Sequence, residues 1–425
     1  MIDSLQSRRN LYILWIGTFL AGCSFSLVMP FLPRFIEELG VEGNLYTWSG
    51  WTYAISFVAS AIMSPIWGNL ADRYGRKPMI IRSGISIGTI YLLMSLVTNP
   101  YQLFVLRMLN GALSGFIPSA IALVATNTPE HRVGRALALL QTGTAAGTIL
   151  GPMLGGTLSD LFGIRTTMVI GCAVIFAATA LVLVGVKERA LGAGKAATSP
   201  LQDLKTAVTN RTLFALMISA MLINASIQSL EPILTSFVPQ LRQESGLVWL
   251  TRTLFGRADA HSFIAGFIFS LPAIAVLFAA PRWARLGERI GFARLLAFGL
   301  GAAGLLVVPQ SLVRSAGTLI ALRFVYGIFT AAVQPSINAT LATTVHPSFR
   351  GRAYGINQSA MFVGSVLGPT LGGYVGDYFG PRAVFVFTGL LLMLAATWVY
   401  RELASGRAGA PLVGAPDDVA HGPVG

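Results

Sequence analysis

Apolar runs about as long as a bilayer-spanning helix, roughly 20 residues, recur along the whole chain between short segments rich in charge or glycine. Twelve spans are predicted, over residues 11–34, 47–70, 79–98, 101–125, 134–160, 166–186, 212–240, 260–281, 292–309, 316–341, 353–377 and 383–401. In hydrocarbon each backbone N–H and C=O must find its partner inside the segment, so every run is read as a helix. The expectation is an all-α membrane protein with twelve transmembrane helices in two pseudosymmetric six-helix bundles.

The polar and glycine positions that punctuate the runs occur twice. Pro65, Trp67, Asp72, Arg73, Gly75, Arg107 and Gly111 recur 216 residues later as Pro281, Trp283, Glu288, Arg289, Gly291, Arg323 and Gly327. The offset then becomes 217, and Gly134, Arg135, Gln141, Gly147, Gly151, Pro152, Gly155, Asp160, Gly163 and Arg165 recur as Gly351, Arg352, Gln358, Gly364, Gly368, Pro369, Gly372, Asp377, Gly380 and Arg382. Parallel halves that solve the same packing problem account for such a repeat. The predicted organisation is a first bundle over 1–186, a central linker over 187–211, a second bundle over 212–403 and a disordered tail from Ala404 onward. Near Met29 and Glu231 the offset is 202, so the second half carries 14 additional residues, read as an outside loop around Leu241 to Asp259.

Composition agrees with a life in lipid: 54% of the 425 residues are hydrophobic and 11% charged, against about 25% charged in soluble domains. With the N-terminus placed inside, the inner segments hold 21 Lys and Arg and the outer ones 7, counting Arg34. That bias predicts both termini in the cytoplasm. It also accounts for the net charge of +13 through anionic headgroups rather than nucleic acid. The first run has no small-residue cleavage site and is expected to stay in place. Cys23 and Cys172 fall inside spans, where packing rather than a disulfide is expected. His131, His261, His346 and His421 lie in loops or the tail and no G-x-x-x-x-G-K occurs, so no metal, cofactor or nucleotide site is expected and energy must come from an ion or substrate gradient.

Four local patterns carry candidate chemistry. After the second span, G-N-L-A-D-R-Y-G-R-K sets Asp72 among cations, with Gly68 and Gly75 permitting close approach and a turn beside Arg73, Arg76 and Lys77. In the fifth, Gly147, Gly151 and Gly155 form a smooth stripe, with Pro152 and Gly156 beside it. The fourth holds Arg107, a guanidinium in hydrocarbon that needs a partner. The seventh holds Glu231, the one carboxylate placed deep in a span, at helical spacing from Asn224 and Gln228. A carboxyl desolvated there can exchange a proton near neutrality; a structural ion pair with Arg107, Arg323 or Arg34 is the alternative.

The loop at 68–77 resembles the loop signature of the major facilitator superfamily, G-x-x-x-G-P-x-x-G-G at 147–156 resembles the antiporter motif of its exporters, and R-M-L-N-G-A-L-S-G from Arg107 resembles the membrane-arginine motif of its proton-linked members. Over almost the whole chain the resemblance is to twelve-span drug:proton antiporters of the bacterial multidrug efflux branch. It implies a non-enzymatic, monomeric protein of the bacterial inner membrane, with a cavity between spans 1, 4, 7 and 10 and alternating access. It further implies export of amphipathic small molecules in exchange for protons, with Glu231 and Arg107 coupling proton entry. Asn224, Gln228, Glu231, Gln141, Gln358 and Arg34 are the expected cavity residues. The 68–77 loop is the expected inner gate, and the glycine stripe is expected to press on span 8 and close the outer side. Export of one defined sugar or lipid, or a non-transporting sensor or scramblase, are the rival readings.

Overall fold

The computed structural model describes residues 2–128, 130–188, 208–255, 261–345 and 350–404. The predicted tail, and the predicted linker apart from its ends, lie outside them. Seventeen α-helices occur among the described residues: α1 Ile2–Leu27, α2 Leu32–Glu38, α3 Leu45–Tyr74, α4 Arg76–Ser95, α5 Pro100–Leu113, α6 Phe116–Asn127, α7 Glu130–Phe162, α8 Ile164–Gly185, α9 Arg211–Ser229, α10 Glu231–Phe237, α11 Ser245–Phe255, α12 His261–Ile290, α13 Phe292–Val307, α14 Ala316–Thr330, α15 Val333–Thr344, α16 Arg350–Phe379 and α17 Pro381–Val399. Among the described residues, eleven helical stretches are long and apolar enough to cross a membrane. The one predicted span not among them, 353–377, is α16, which has 30 residues, ample for a bilayer at 1.5 Å each, but its glycines and polar side chains hold its hydropathy down.

The prediction of unbroken spans fails at four places. Span 1 breaks between α1 and α2, span 4 between α5 and α6, span 7 between α9 and α10, and span 10 between α14 and α15. Prolines account for much of this, because each removes a backbone donor. Pro30 lies within the break in span 1, Pro232 follows the break in span 7, and Pro118 and Pro335 stand in the first turn of α6 and α15. The interrupted spans are the four expected to line the cavity, and irregular backbone at membrane depth is tolerated where it lies within protein or faces water.

Tight turns follow the repeat. Gly75, Gly163, Gly291 and Gly380, with φ of 102°, 82°, 91° and 83°, each end one helix and start the next. That left-handed conformation is open to glycine and strained for other residues.

The chain divides into two compact units. The first comprises Met1–Lys195, Leu234–Gln240 and Glu244–Ser270. Its core holds Leu27, Phe31, Phe35, Tyr53, Tyr91 and Met168 in one cluster and Leu14, Ile80, Phe116, Leu140, Ile175 and Val182 in another. The second comprises Ala196–Ile233, Leu241–Gln243 and Leu271–Gly425, with α9 packed on α16 and α13 on α17. The additional segment, expected as a loop, is helical over α11, where Thr251 is buried and Trp249 is 67% exposed. Just before it, Arg242 pairs with the chain at Arg314–Ala316 through backbone bonds of 2.9 and 3.0 Å.

Candidate functional site

Glu231 opens α10, one residue beyond the end of α9. The stripe predicted through Asn224, Gln228 and Glu231 is therefore broken at Leu230, and Glu231 leaves the helical register of the other two. Its position, half-buried in the first turn of a half-helix, sets its carboxylate where the peptide dipoles favour negative charge. Arg323, on α14 in the same unit and only 6% exposed, interacts with it electrostatically. Of the three cations the sequence offered, Arg323 is the one that lies in the same unit as Glu231. The Arg323 guanidinium also lies 5.9 Å from the Tyr326 ring centre.

Asn224 stands on the seam with α16, where its Oδ1 accepts a bond from Ser365 Oγ at 3.1 Å. Gln228 is half-buried in the last turn of α9, while Gln141 and Gln358 are exposed on α7 and α16. Arg34 falls elsewhere, on α2 in the first unit. It reaches Glu38 at 3.5 Å, Asp160 at 3.8 Å and Ser262 Oγ at 3.3 Å. Asp160, with its side chain 8% exposed, accepts the Phe263 backbone N–H at 2.8 Å and so holds the first turn of α12. Arg34, Asp160 and α12 form a polar knot that the sequence reading missed. Asp160 ends a glycine-rich span just before a turn, and that was its one visible signal.

Arg107 is 2% exposed on α5. Its guanidinium lies 5.8 Å from the Tyr53 ring centre and interacts electrostatically with Tyr91, whose hydroxyl donates to Ser24 O at 2.8 Å. Arg107 and Arg323 are thus matching buried cations, each beside tyrosine, and in the second unit Glu231 adds a carboxylate.

At the corner between α3 and α4, Asp72 pairs with Arg76 at 3.1 Å, four residues on. The start of α4 is instead held by Glu188, just beyond α8, whose two oxygens accept the N–H groups of Arg76 and Lys77 at 2.7 and 3.0 Å. A side chain on Gly75 would strike that carboxylate at 2.8 Å. The Lys77 ammonium bonds Leu183 O at 2.8 Å and Arg73 lies over Tyr74. Gly68 has open space around it, so close packing there is not what requires glycine. The sequence reading assigned Glu188 to the linker; its signal was a helix start, after Gly75, with no acceptor of its own.

The glycine stripe faces a different partner from the one expected. A Cβ on Gly147, Gly151 or Gly155 would be driven into α1, at Phe19 O, at Ser26 Oγ and Cys23 O, and at Leu27 O. Gly364, Gly368 and Gly372 meet Met221, Ala225 and Ser229 of α9 in the same way. The predicted contact with span 8 belongs to its neighbours: Gly156 lies against Ser262 O, and Gly266 of α12 lies against the Pro152 carbonyl. Two faces of α7 therefore do different work.

A family model for the Major Facilitator Superfamily matches residues 14–256 and 253–416. The chain is 38% identical to Multidrug resistance protein MdtG of Proteus mirabilis over 397 residues, which is 92% of this chain and 96% of that protein. It is 38% identical to the protein of the same name from Salmonella typhimurium over 403 residues, 94% of this chain and 96% of the other. Its fold matches a crystal structure of the nucleoside transporter NupG with a TM-score of 0.75 at 16% identity, covering 92% of this chain and 98% of that one. It also matches a bacterial homologue of the human lysosomal transporter Spinster, inward-facing and unoccupied, with a TM-score of 0.76 at 16% identity over 93% and 97% of the two chains. These distant structures speak for the fold, whereas the family model and the 38% relatives span nearly the full length of both sequences. A multi-pass helical protein with broken spans and paired buried arginines, the chain belongs to the major facilitator superfamily.

Proposed function

We propose that the protein exports amphipathic, drug-like small molecules across the bacterial inner membrane in exchange for protons. The relatives named for multidrug resistance support the substrate class. The observation that carries the coupling mechanism is Glu231 at a break in span 7, within electrostatic reach of the buried Arg323. A protonatable carboxyl beside a fixed cation has two charge states of different energy, and a drug or a helix movement that alters their separation shifts the proton. Arg107 fills the matching place in the first unit, beside Tyr53 and Tyr91, and is the second group to which proton coupling is assigned. The cation bias of the sequence supports cytoplasmic termini and an inner location for the Asp72 and Glu188 corner.

The test is ethidium movement in proteoliposomes with an imposed pH gradient. Uptake into inside-out vesicles that are acid inside, with matching proton release and collapse by a protonophore, is expected. Ethidium flux indifferent to the gradient would overturn proton exchange. Transport of one sugar or lipid, with no drug carried, would overturn the substrate class.

A further inference from the structure

Span 4 breaks at Ser114 and Gly115, and the end of α5 is held from two neighbouring helices. Ser60 Oγ of α3 donates to Gly111 O at 2.9 Å and Trp67 Nε1, also of α3, to Ala112 O at 2.7 Å. Arg82 of α4 donates through Nη2 to Ser114 O at 3.2 Å. Its guanidinium carbon lies 3.4 Å from the centre of the Trp67 ring. Nε and Nη1 of Arg82 are buried with no hydrogen-bond partner, and among the described residues no carboxylate pairs with it. Gly115 has φ of 140°, and a Cβ there would meet Arg82 Nη2 at 3.4 Å.

The second unit repeats the device without the cation. Trp283 Nε1 donates to Ile328 O at 2.6 Å, but Phe298 stands where the repeat puts Arg82, with its ring centre 6.0 Å from Trp283. The break there, at Ala331 and Ala332, has ordinary helical φ of −60° and −74°. A break of this kind therefore forms without an arginine. Two buried guanidinium nitrogens without hydrogen bonds are costly, so their presence in one half alone calls for a gain that Phe298 cannot supply.

A cation at the carboxyl end of a half-helix meets the negative end of the peptide dipoles. Stacking on Trp67 fixes the plane of that cation, a contact that strengthens when desolvated. Ser114 is seven residues after Arg107, two turns along the same face of α5. We propose that Arg82 is a positioning residue for transport, which pins the end of α5 against Trp67 and thereby sets the depth and rotation of Arg107. This rests on the transporter reading above. Arg82 needs no contact with substrate, and its effect travels along one rigid half-helix.

Arg82→Phe, which installs the residue of the second half, and Arg82→Lys test this in purified, reconstituted protein. Turnover of ethidium is expected to fall about tenfold in the Phe variant while the ethidium Kd and KM stay within about threefold. The Lys variant is expected to recover part of the loss, since charge returns without the planar stack. Amide exchange over residues 107–118 is expected to quicken in the Phe variant with no substrate present. Wild-type turnover in Arg82→Phe, unchanged exchange over 107–118, or a parallel fall of turnover, binding and melting temperature would each overturn the proposal. The exchange measurement decides the positioning role by itself, whereas wild-type protein that fails to carry ethidium would count against the substrate class alone.

Discussion

A carboxyl in the first turn of α10 is pulled two ways: partial burial disfavours its charge, while the helix dipole and Arg323 favour it. Glu231→Gln keeps size and hydrogen bonding but removes titration, so proton-driven ethidium efflux is expected to cease, to below about a hundredth of wild type, while equilibrium binding of ethidium persists within tenfold. Wild-type efflux with an unaltered pH profile would remove Glu231 from coupling. Loss confined to cationic drugs, with neutral ones still exported against a proton gradient, would make it a ligand contact instead. Arg323→Met removes that cation and is expected to slow proton-driven efflux, read as the initial rate of ethidium movement in proteoliposomes, while ethidium binding persists within about tenfold. Glu231 was legible in the sequence because an acid inside a long apolar run is conspicuous. Its relation to the cations was not, since Arg34, Arg107 and Arg323 are equally conspicuous and only the fold shows that Arg323 shares its unit.

Helix by helix, the two glycine stripes do one job. Each lets a span lie with its backbone against that of its neighbour, α7 on α1 and α16 on α9. Gly151→Leu and Gly368→Leu are accordingly expected to cause comparable losses of folded, monodisperse protein in detergent, and unequal losses by more than about tenfold would contradict equivalence. The sequence showed the stripes but not their partners. A period of four residues tells which side of a helix is smooth, and it cannot tell what lies there. The breaks in spans 1, 4, 7 and 10 escaped for a related reason, as hydropathy averages across them and prolines also occur inside unbroken α3, α7, α12 and α16. At the α3–α4 corner, Glu188→Ala removes two charge-assisted bonds to the start of α4 and is expected to destabilise the protein by about 1 to 2 kcal/mol. Asp72→Asn removes an exposed pair with Arg76 worth about 0.5 kcal/mol or less. If Asp72→Asn nonetheless slows efflux with stability intact, its role lies in a second conformation; equal stability losses for both variants, read by thermal unfolding in detergent, would contradict the assignment of Glu188.

For the molecule as a whole, the number of crossings decides where the two ends lie, and α16 is the helix on which that number turns. Its glycines and polar groups are largely what its partner requires: Gly364, Gly368 and Gly372 seat on α9, Ser365 bonds Asn224, and Asn357 is 5% exposed. Hydropathy counts these residues as if they met lipid, although they meet protein. α7 carries the matching stripe and lies in the least apolar of the eleven stretches. α16 is therefore expected to span, giving twelve crossings and both termini on one side. Cys23 and Cys172 are free and buried, so the native chain offers a quiet background for single-cysteine labelling with an impermeant maleimide. Thr98→Cys, between α4 and α5, is expected to label in intact cells, and Arg401→Cys, just beyond α17, only after permeabilisation. Nine crossings separate these positions if α16 spans and eight if it does not, so labelling of both from the same side would reduce the protein to eleven spans and place its termini on opposite faces.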